Sequence, residues 1–429
     1  MNRLTQIAGA SARPSEQVPH APFLERAAAH ARRGHETAAR LALGAYLVGR
    51  LVNRALAAAG VDAERELTRQ VGATRRRILK LPRRTAERTH LLAIIESLYS
   101  EGRDRRPVRD RLLEYAEHLE RAGHLDEALS VVGVAARVAP QHTPPAQAAA
   151  QALFAGRLNR LLARWEEAGA CYRAAEEAGH SAGDPVPVLR GRLGQGAVLR
   201  GRGNLPAARA IAEAVEVEAA AAHLSAVQAM ANADLAAVLR QQGFLAPALE
   251  CSYRAFQLFS DPTQRLRALG DVGIGLTEIG AFDVARIAFE LVAASGSKSV
   301  VRVNALVELM DLESAVGDRA AFERRRAAAA AARSRMPPST AVDFHYRVGI
   351  GLARFGDRDA GRRALSSALR LAERHGLHAW YFRVERALSE LATSTPRHVS
   401  AERAQRRETA LVVQQLEVGL RRDAARAAV

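Results

Sequence analysis

Histidine, cysteine and acidic residues are the side chains whose spacing could support metal chemistry in this chain. His375 and His378 lie three positions apart near the end of a predicted helix, a spacing that two metal ligands can share. The nearest third ligand, Glu373, lies on a different helix face, so a surface role is favoured for the pair. Cys171 and Cys251 are too few for a disulfide framework or a cysteine-rich zinc site. The sequence therefore predicts no metal centre.

The positions of lysine and serine likewise provide no motif for catalysis. A phosphate-binding loop needs Gly-Lys-Ser/Thr, but the only two lysines, Lys80 and Lys298, follow Leu79 and Ser297. The chain contains neither a Gly-x-Ser-x-Gly elbow nor a His-Glu-x-x-His segment. We predict a protein that is not an enzyme and that has no cofactor.

Arginine dominates the charge of the chain, which has a formal net charge of +16 from 62 basic and 46 acidic residues. Residues 1–100 carry 17 basic and 8 acidic residues, and residues 301–429 carry 23 and 15. The middle, residues 101–300, is balanced with 22 and 23. An arginine-rich composition is typical of a GC-rich genome, but uniform codon bias does not account for two basic ends.

The densest basic cluster follows a segment that faintly resembles a helix-turn-helix, with Gly72 at the turn and Ile78 facing inward. Its members are Arg75, Arg76, Arg77, Lys80, Arg83 and Arg84. These side chains could contact the phosphates of a nucleic acid. The alternative is a solvated helix face that reflects composition alone.

A sequence pattern repeats along the chain: an apolar helix, a small turn residue, and a second apolar helix. The turn positions are 123, 163, 203, 243, 280, 317 and 356, with separations of 40, 40, 40, 37, 37 and 39 residues. Small residues seven before the turn and Ala five after it predict close helix crossings at which small meets small. Glycine at the turn predicts a left-handed C-cap. The pattern indicates a series of helical hairpins.

The repeats resemble the tetratricopeptide family. Residues 112–140 carry small and apolar residues at nearly every signature position, among them Leu112, Tyr115, Ala116, Leu119, Gly123, Leu125, Ala128 and Pro140. The usual period is 34 residues, and the longer period here is similar to kinesin light chains and bacterial peptide-sensing regulators. The resemblance covers residues 108–376. It implies an all-α, right-handed α-solenoid of antiparallel helix pairs whose first helices line a protein- or peptide-binding groove.

The rest of the chain is assigned around this array. We expect a disordered lead-in over 1–20, an N-terminal helical region over 21–107 with one degenerate repeat at Gly34, seven repeats over 108–376, and capping helices over 377–429. The last helix has an apolar stripe, which predicts a cap on the last repeat or, alternatively, pairing with a second copy. The stripe consists of Leu411, Val412, Leu416 and Leu420. The sequence contains no apolar run suited to a signal peptide or membrane span, and a cytoplasmic location is expected.

Four arginines near the ends of first helices are the candidate binding residues of the groove: Arg157, Arg160, Arg200 and Arg240. A row of guanidinium groups suits an acidic segment or a C-terminal carboxylate. Alternatively, each arginine pairs with an acidic residue of a neighbouring repeat. We predict a protein- or peptide-binding scaffold or adaptor. The second hypothesis is a regulator whose basic N-terminal helices contact nucleic acid and whose repeats sense a peptide or partner protein.

Overall fold

The computed structural model describes residues 19–58, 61–98, 106–138, 143–295, 300–333, 336–393 and 405–427. The regular elements of these residues are 20 α-helices. The predicted lead-in lies outside the described residues except for its last two positions. The chain divides into two compact units, Met1–Gly194 and Gln195–Val429.

The first unit is built from consecutive antiparallel helices, of which the ninth continues into the second unit. The helices are α1 (Ala21–Arg32), α2 (Glu36–Ala57), α3 (Val61–Leu79), α4 (Ala86–Ser97), α5 (Arg106–Arg121), α6 (Leu125–Arg137), α7 (Pro145–Leu161), α8 (Trp165–Ala182) and α9 (Pro185–Gly201). Helix α3 runs without a break through Gly72, so the expected helix-turn-helix is wrong. Ile78 is fully buried, as predicted.

The second unit repeats the same hairpin with different side chains. Its helices are α10 (Leu205–Ala221), α11 (Ser225–Gln241), α12 (Leu245–Leu258), α13 (Pro262–Glu278), α14 (Phe282–Ala294), α15 (Val300–Ala315), α16 (Arg319–Ala331), α17 (Pro338–Arg354), α18 (Arg358–Arg374), α19 (His378–Thr393) and α20 (Gln405–Ala427). The predicted all-α fold of antiparallel helix pairs is confirmed.

All seven predicted turn positions adopt a left-handed backbone. The six glycines have φ between 80° and 88°, and Ala163 has φ 55°. At the first turn the N–H of Gly123 donates to the carbonyl of Glu120, and the N–H of His124 donates to that of Leu119, both at 2.9 Å. These bonds satisfy carbonyls that the helix end leaves open. Gly34, with φ 72°, has the same left-handed backbone at the position of the predicted degenerate repeat.

Ala163 is the one predicted turn position without glycine, and replacing it should stabilise the protein. A left-handed backbone costs an L-residue about 1–2 kcal/mol, whereas glycine loses about 0.5–1 kcal/mol more entropy on folding. Ala163→Gly should therefore raise the free energy of unfolding by about 0.5–1 kcal/mol in urea titrations. Gly123→Ala should lower it. Equal stability of the Ala163→Gly variant and the parent would contradict the strain argument.

Small residues in the first helices make room for large side chains of the second helices. A Cβ atom on Gly156 would lie 2.8 Å from the ring of Tyr172, and one on Gly273 would lie 2.5 Å from the ring of Phe289. Both aromatic residues stand nine positions after their turns. The prediction that small residues of the two helices contact each other is therefore only partly correct, because an aromatic ring of the second helix fills the space next to each of these glycines. The alanines five positions after the turns are buried, as expected.

The two C-terminal helices have different roles. Helix α19 packs on α18 and covers the last hairpin, whereas α20 packs on α12 and α14 of earlier hairpins. The prediction of a cap on the last repeat is thus wrong for α20. Leu416 and Leu420 are buried in one apolar cluster with Phe256 and Phe289. Leu411 is 64% exposed and does not belong to the buried stripe.

Candidate functional site

A recess of about 270 Å³ lies on the first helices of the second unit. Its walls come from α13, α15 and α17, with α19 at one side and α14 contributing Phe289 and Val292. The polar, charged and aromatic lining residues that matter below are Arg267, Asp271, Asn304, Glu308, Asp343 and Trp380. These are first helices of their hairpins, the kind of helix that the tetratricopeptide resemblance assigns to the groove, but the four candidate groove arginines lie on α7, α9 and α11 and do not line the recess.

Helical spacing explains why these side chains converge. Arg267 and Asp271 are four residues apart on α13, as are Asn304 and Glu308 on α15, so each pair shares one helix face. The hydroxyl of Thr340 on α17 donates to the Asn304 side-chain oxygen at 3.1 Å. This bond ties the faces of α15 and α17 together.

Arg347 of α17 holds the acidic side of the recess. Its guanidinium lies 2.7 Å from a Glu308 oxygen, 2.7 Å from Asp311 and 2.9 Å from Asp343. Burial lowers the pKa of Arg347, but the three carboxylates outweigh it and leave that pKa raised. Burial raises the pKa of Glu308 to about 7, although Arg347 acts in the opposite direction. Among the described residues, Glu308 and Asp343 thus depend on Arg347 alone for an ion pair, whereas Asp311 also binds Arg354 at 2.7 Å, and all four side chains around Arg347 are mostly buried.

Asp271 differs from the carboxylates around Arg347. Among the described residues it forms no hydrogen bond and no ion pair. Burial raises its pKa, while Arg240 and Arg267 act against burial at longer range. Asp271 is consequently a carboxylate at a recess whose charge the surrounding chain compensates only partly.

The four predicted groove arginines have mostly local partners. Arg157 lies 2.6 Å from Glu120, Arg200 lies 3.8 Å from Asp234, and Arg240 lies 3.7 Å from Glu278. Each of these pairs joins the first helices of neighbouring hairpins, as the alternative interpretation expects. The fourth, Arg160, is half-buried and has no ion pair within the described ranges.

The predicted basic cluster is arranged differently from those paired arginines. Arg75, Arg76, Arg77, Lys80, Arg83 and Arg84 are all exposed on the end of α3 and the loop after it. Within the part of the chain that the structure describes, none of the six side chains forms a hydrogen bond or ion pair. This exposed set is called the α3 basic surface below.

The recess was not predicted from the sequence. Asp271 and Glu308 lie inside first helices among apolar residues. The one signal in the sequence that could have identified them is an acidic residue at a helix position that is otherwise apolar. The described residues contain no group of three residues placed to hold a metal ion. In the same part of the chain, no helix has both the length and the apolar content needed to cross a lipid bilayer.

Comparison with known proteins finds solved structures of similar fold. No family model matches the chain, and no curated protein matches it. A Rap protein complexed with competence and sporulation factor has 12% identity and a TM-score of 0.45, covering 83% of this chain and 98% of that one. The Cut9–Hcn1 hetero-tetramer of APC/C gives 14% identity, a TM-score of 0.44, and coverage of 96% and 78%.

A third similar structure is a tetratricopeptide repeat protein from Parabacteroides merdae ATCC 43184. It has 13% identity and a TM-score of 0.39, and the similarity covers 66% of this chain and 99% of that one. The likeness concerns the fold alone. The assignment of tetratricopeptide-like hairpins to this chain rests on its own turns and helix pairs, which match the predicted spacing.

Proposed function

We propose that this protein is a non-catalytic binding protein that takes a segment of another protein or a peptide along the first helices of its second unit. The observation that carries the proposal is the recess between α13, α15 and α17. Its volume of about 270 Å³ falls below the roughly 300–1,000 Å³ of small-molecule sites. It suits one anchoring side chain of a longer chain. A cytoplasmic location fits the two free thiols, Cys171 and Cys251.

Filling the recess tests this function. Nothing lies within 4 Å of a Cβ atom placed on Gly270, which lines the recess, so Gly270→Trp can project into it. Peptides selected from a random display library on the intact protein should bind the Gly270→Trp variant at least tenfold more weakly, as measured by fluorescence anisotropy. Gly133→Trp is the matched control, because Gly133 is exposed on α6 in the first unit with nothing within 4 Å.

The outcome is decisive in either direction. Selected peptides that bind all three proteins alike would place binding elsewhere and refute the recess as the site. Failure to select any peptide would refute the function itself. Equal circular dichroism spectra and unfolding temperatures of the two variants ensure that the comparison reports on binding.

A second candidate function, contact with a nucleic acid, is favoured by the α3 basic surface. Its six cations are exposed and have no acidic partner among the described residues, in contrast to the paired arginines of the first helices. Binding to phosphates releases counterions, so affinity for a duplex should fall steeply with salt.

A salt series measures this directly. Substituting Arg75, Arg76 and Arg77 together with Gln should reduce the slope of log K against log salt by about 2–3 for duplex DNA, because each phosphate that a cation neutralises adds roughly 0.9 to that slope. The matched control replaces Arg362, Arg363 and Arg374, three exposed arginines of α18, with Gln. An equal change of slope in both variants would indicate non-specific charge, and absence of binding at low salt would reject the candidate.

A further inference from the structure

We propose that the recess accepts a cationic side chain, the guanidinium of an arginine or the ammonium of a lysine, from the bound segment. The inference rests on the proposed function and names the chemistry of its anchoring residue. The charge that it assigns to the partner is opposite to the one that the groove arginines indicate, since those arginines predict an acidic partner. The reversal follows from the charges at the recess.

The recess is acidic in a strongly basic protein. Three carboxylates line it, those of Asp271, Glu308 and Asp343, against one lining cation, Arg267. Arg347 adds a second positive charge nearby, but it is shared by Glu308, Asp343 and a further carboxylate, Asp311. Asp311 is also bound by Arg354, at 2.7 Å. When all groups are ionised, these four carboxylates face three guanidinium groups, those of Arg267, Arg347 and Arg354. Within a chain of net charge +16, the lining of the recess thus carries more carboxylates than cations.

Asp271 supplies the direct contact. It has no hydrogen-bond or ion-pair partner among the described residues, yet burial raises its pKa, so its carboxylate is poorly compensated. A partly buried charge of this kind gains most from an opposite charge that arrives with its own hydrogen-bond donors. An arginine can donate two parallel bonds to one carboxylate. The recess therefore offers a cation a better partner than water-exposed carboxylates do.

Trp380 adds an aromatic wall to the recess. Aromatic faces attract cations through the ring quadrupole, most strongly for tryptophan. The guanidinium of Arg383 already lies 5.0 Å from the centroid of the Trp380 ring. A carboxylate and a tryptophan at one recess together favour a guanidinium or ammonium group over a neutral polar side chain.

Binding of a cation should strengthen as pH rises through 7. Glu308, with a pKa raised to about 7 by burial, faces Arg347, Asp343 and Asp311. Its deprotonation adds a negative charge to the recess, while an arginine of the ligand keeps its charge throughout. Asp271 faces Arg240 of α11 and Arg267 of its own helix, and its pKa is raised as well. Both carboxylates shift the affinity in the same direction.

The test is a double-mutant cycle between peptide and protein. A peptide selected for recess-dependent binding, by its loss on Gly270→Trp, is resynthesised with each arginine in turn replaced by citrulline, and each lysine by norleucine. At one position the neutral analogue should weaken binding to the parent protein at least tenfold at pH 8. The same analogue should change binding to the Asp271→Asn variant less than twofold. The parent's preference for arginine over citrulline should shrink at pH 6.

The outcomes separate the two claims. Equal losses on the parent and Asp271→Asn proteins, or recess-dependent peptides without a basic residue, overturn the cation site and leave the proposed function standing. Peptides that ignore Gly270→Trp, or no peptides at all, overturn both. Asp271→Asn keeps the shape of the side chain, and unchanged thermal unfolding of this variant shows that the recess stays folded.

Discussion

Arg347→Ala should lower the free energy of unfolding of the second unit by about 3 kcal/mol at pH 8, because removing one partner of a partly buried ionic cluster leaves charges without compensation. Arg347 lies within 3 Å of three carboxylates, those of Glu308, Asp311 and Asp343. Without the guanidinium, Asp311 keeps its pair with Arg354 at 2.7 Å, but Glu308 and Asp343 lose their cation and repel each other in a setting that water screens poorly. Urea unfolding followed by circular dichroism measures the change.

The pH dependence identifies the cause. Burial raises the pKa of Glu308 in the folded protein from 4.5 to about 7, so between these values the folded state binds the proton and the unfolded state does not. The stability contributed by this group is therefore lost as pH rises through 7. Arg347→Ala raises the Glu308 pKa further and extends the loss to higher pH. The difference between parent and variant should accordingly be larger at pH 8 than at pH 6.

Two further variants complete the Arg347 experiment. Arg386→Ala removes the exposed pair of Arg386 with Glu390, in which the arginine side chain is 82% exposed, and should leave the free energy of unfolding nearly unchanged. Adding Glu308→Gln to Arg347→Ala should restore part of the stability at pH 8, since one uncompensated charge is gone. A loss that is independent of pH and unaffected by Glu308→Gln would attribute the effect to poorer packing.

The hairpins could be predicted because each depends on residues close in sequence. A left-handed turn requires glycine or a tolerated substitute, and a close helix crossing requires a small residue, so both recur at the period of the repeat. Even Ala163, without glycine, adopts φ 55° because the surrounding hairpin imposes the turn. The prediction of a helix-turn-helix was wrong because a glycine such as Gly72 costs an α-helix only about 1 kcal/mol and does not by itself end the helix.

The recess could not be predicted because it depends on which side chains meet across hairpins. Asp271, Glu308 and Asp343 belong to three first helices, each separated from the next by a second helix and its loops. The groove arginines illustrate the same limit. Their spacing places Arg200 and Arg240 correctly on first helices, but whether Asp234 and Glu278 come close to them is a property of the packed structure.

The position of α20 also depends on packing between hairpins, and substitutions that disrupt this packing should strongly affect the protection of α20 from hydrogen exchange. Leu416→Asp combined with Leu420→Asp should release α20 from α12 and α14, because each substitution puts a charge into an apolar cluster where the parent leucine is 2% or 0% exposed. Truncation of one such leucine alone typically costs about 2–5 kcal/mol. Amide hydrogen exchange of residues 411–425 should become at least 100-fold faster than in the parent, as measured by mass spectrometry. Leu411→Asp with Val418→Asp is the matched control, since both residues are exposed.

A second pair of variants tests the contact between α20 and α12. A Cβ atom on Gly419 would collide with the hydroxyl of Tyr253 on α12, while the ring carbon that bears the hydroxyl lies 3.3 Å away. Gly419→Ala should therefore accelerate exchange of α20 despite the better helix propensity of alanine. Adding Tyr253→Phe should restore protection by removing the colliding oxygen. If Gly419→Ala instead slows exchange, propensity outweighs the contact, and α20 does not depend on close approach to α12.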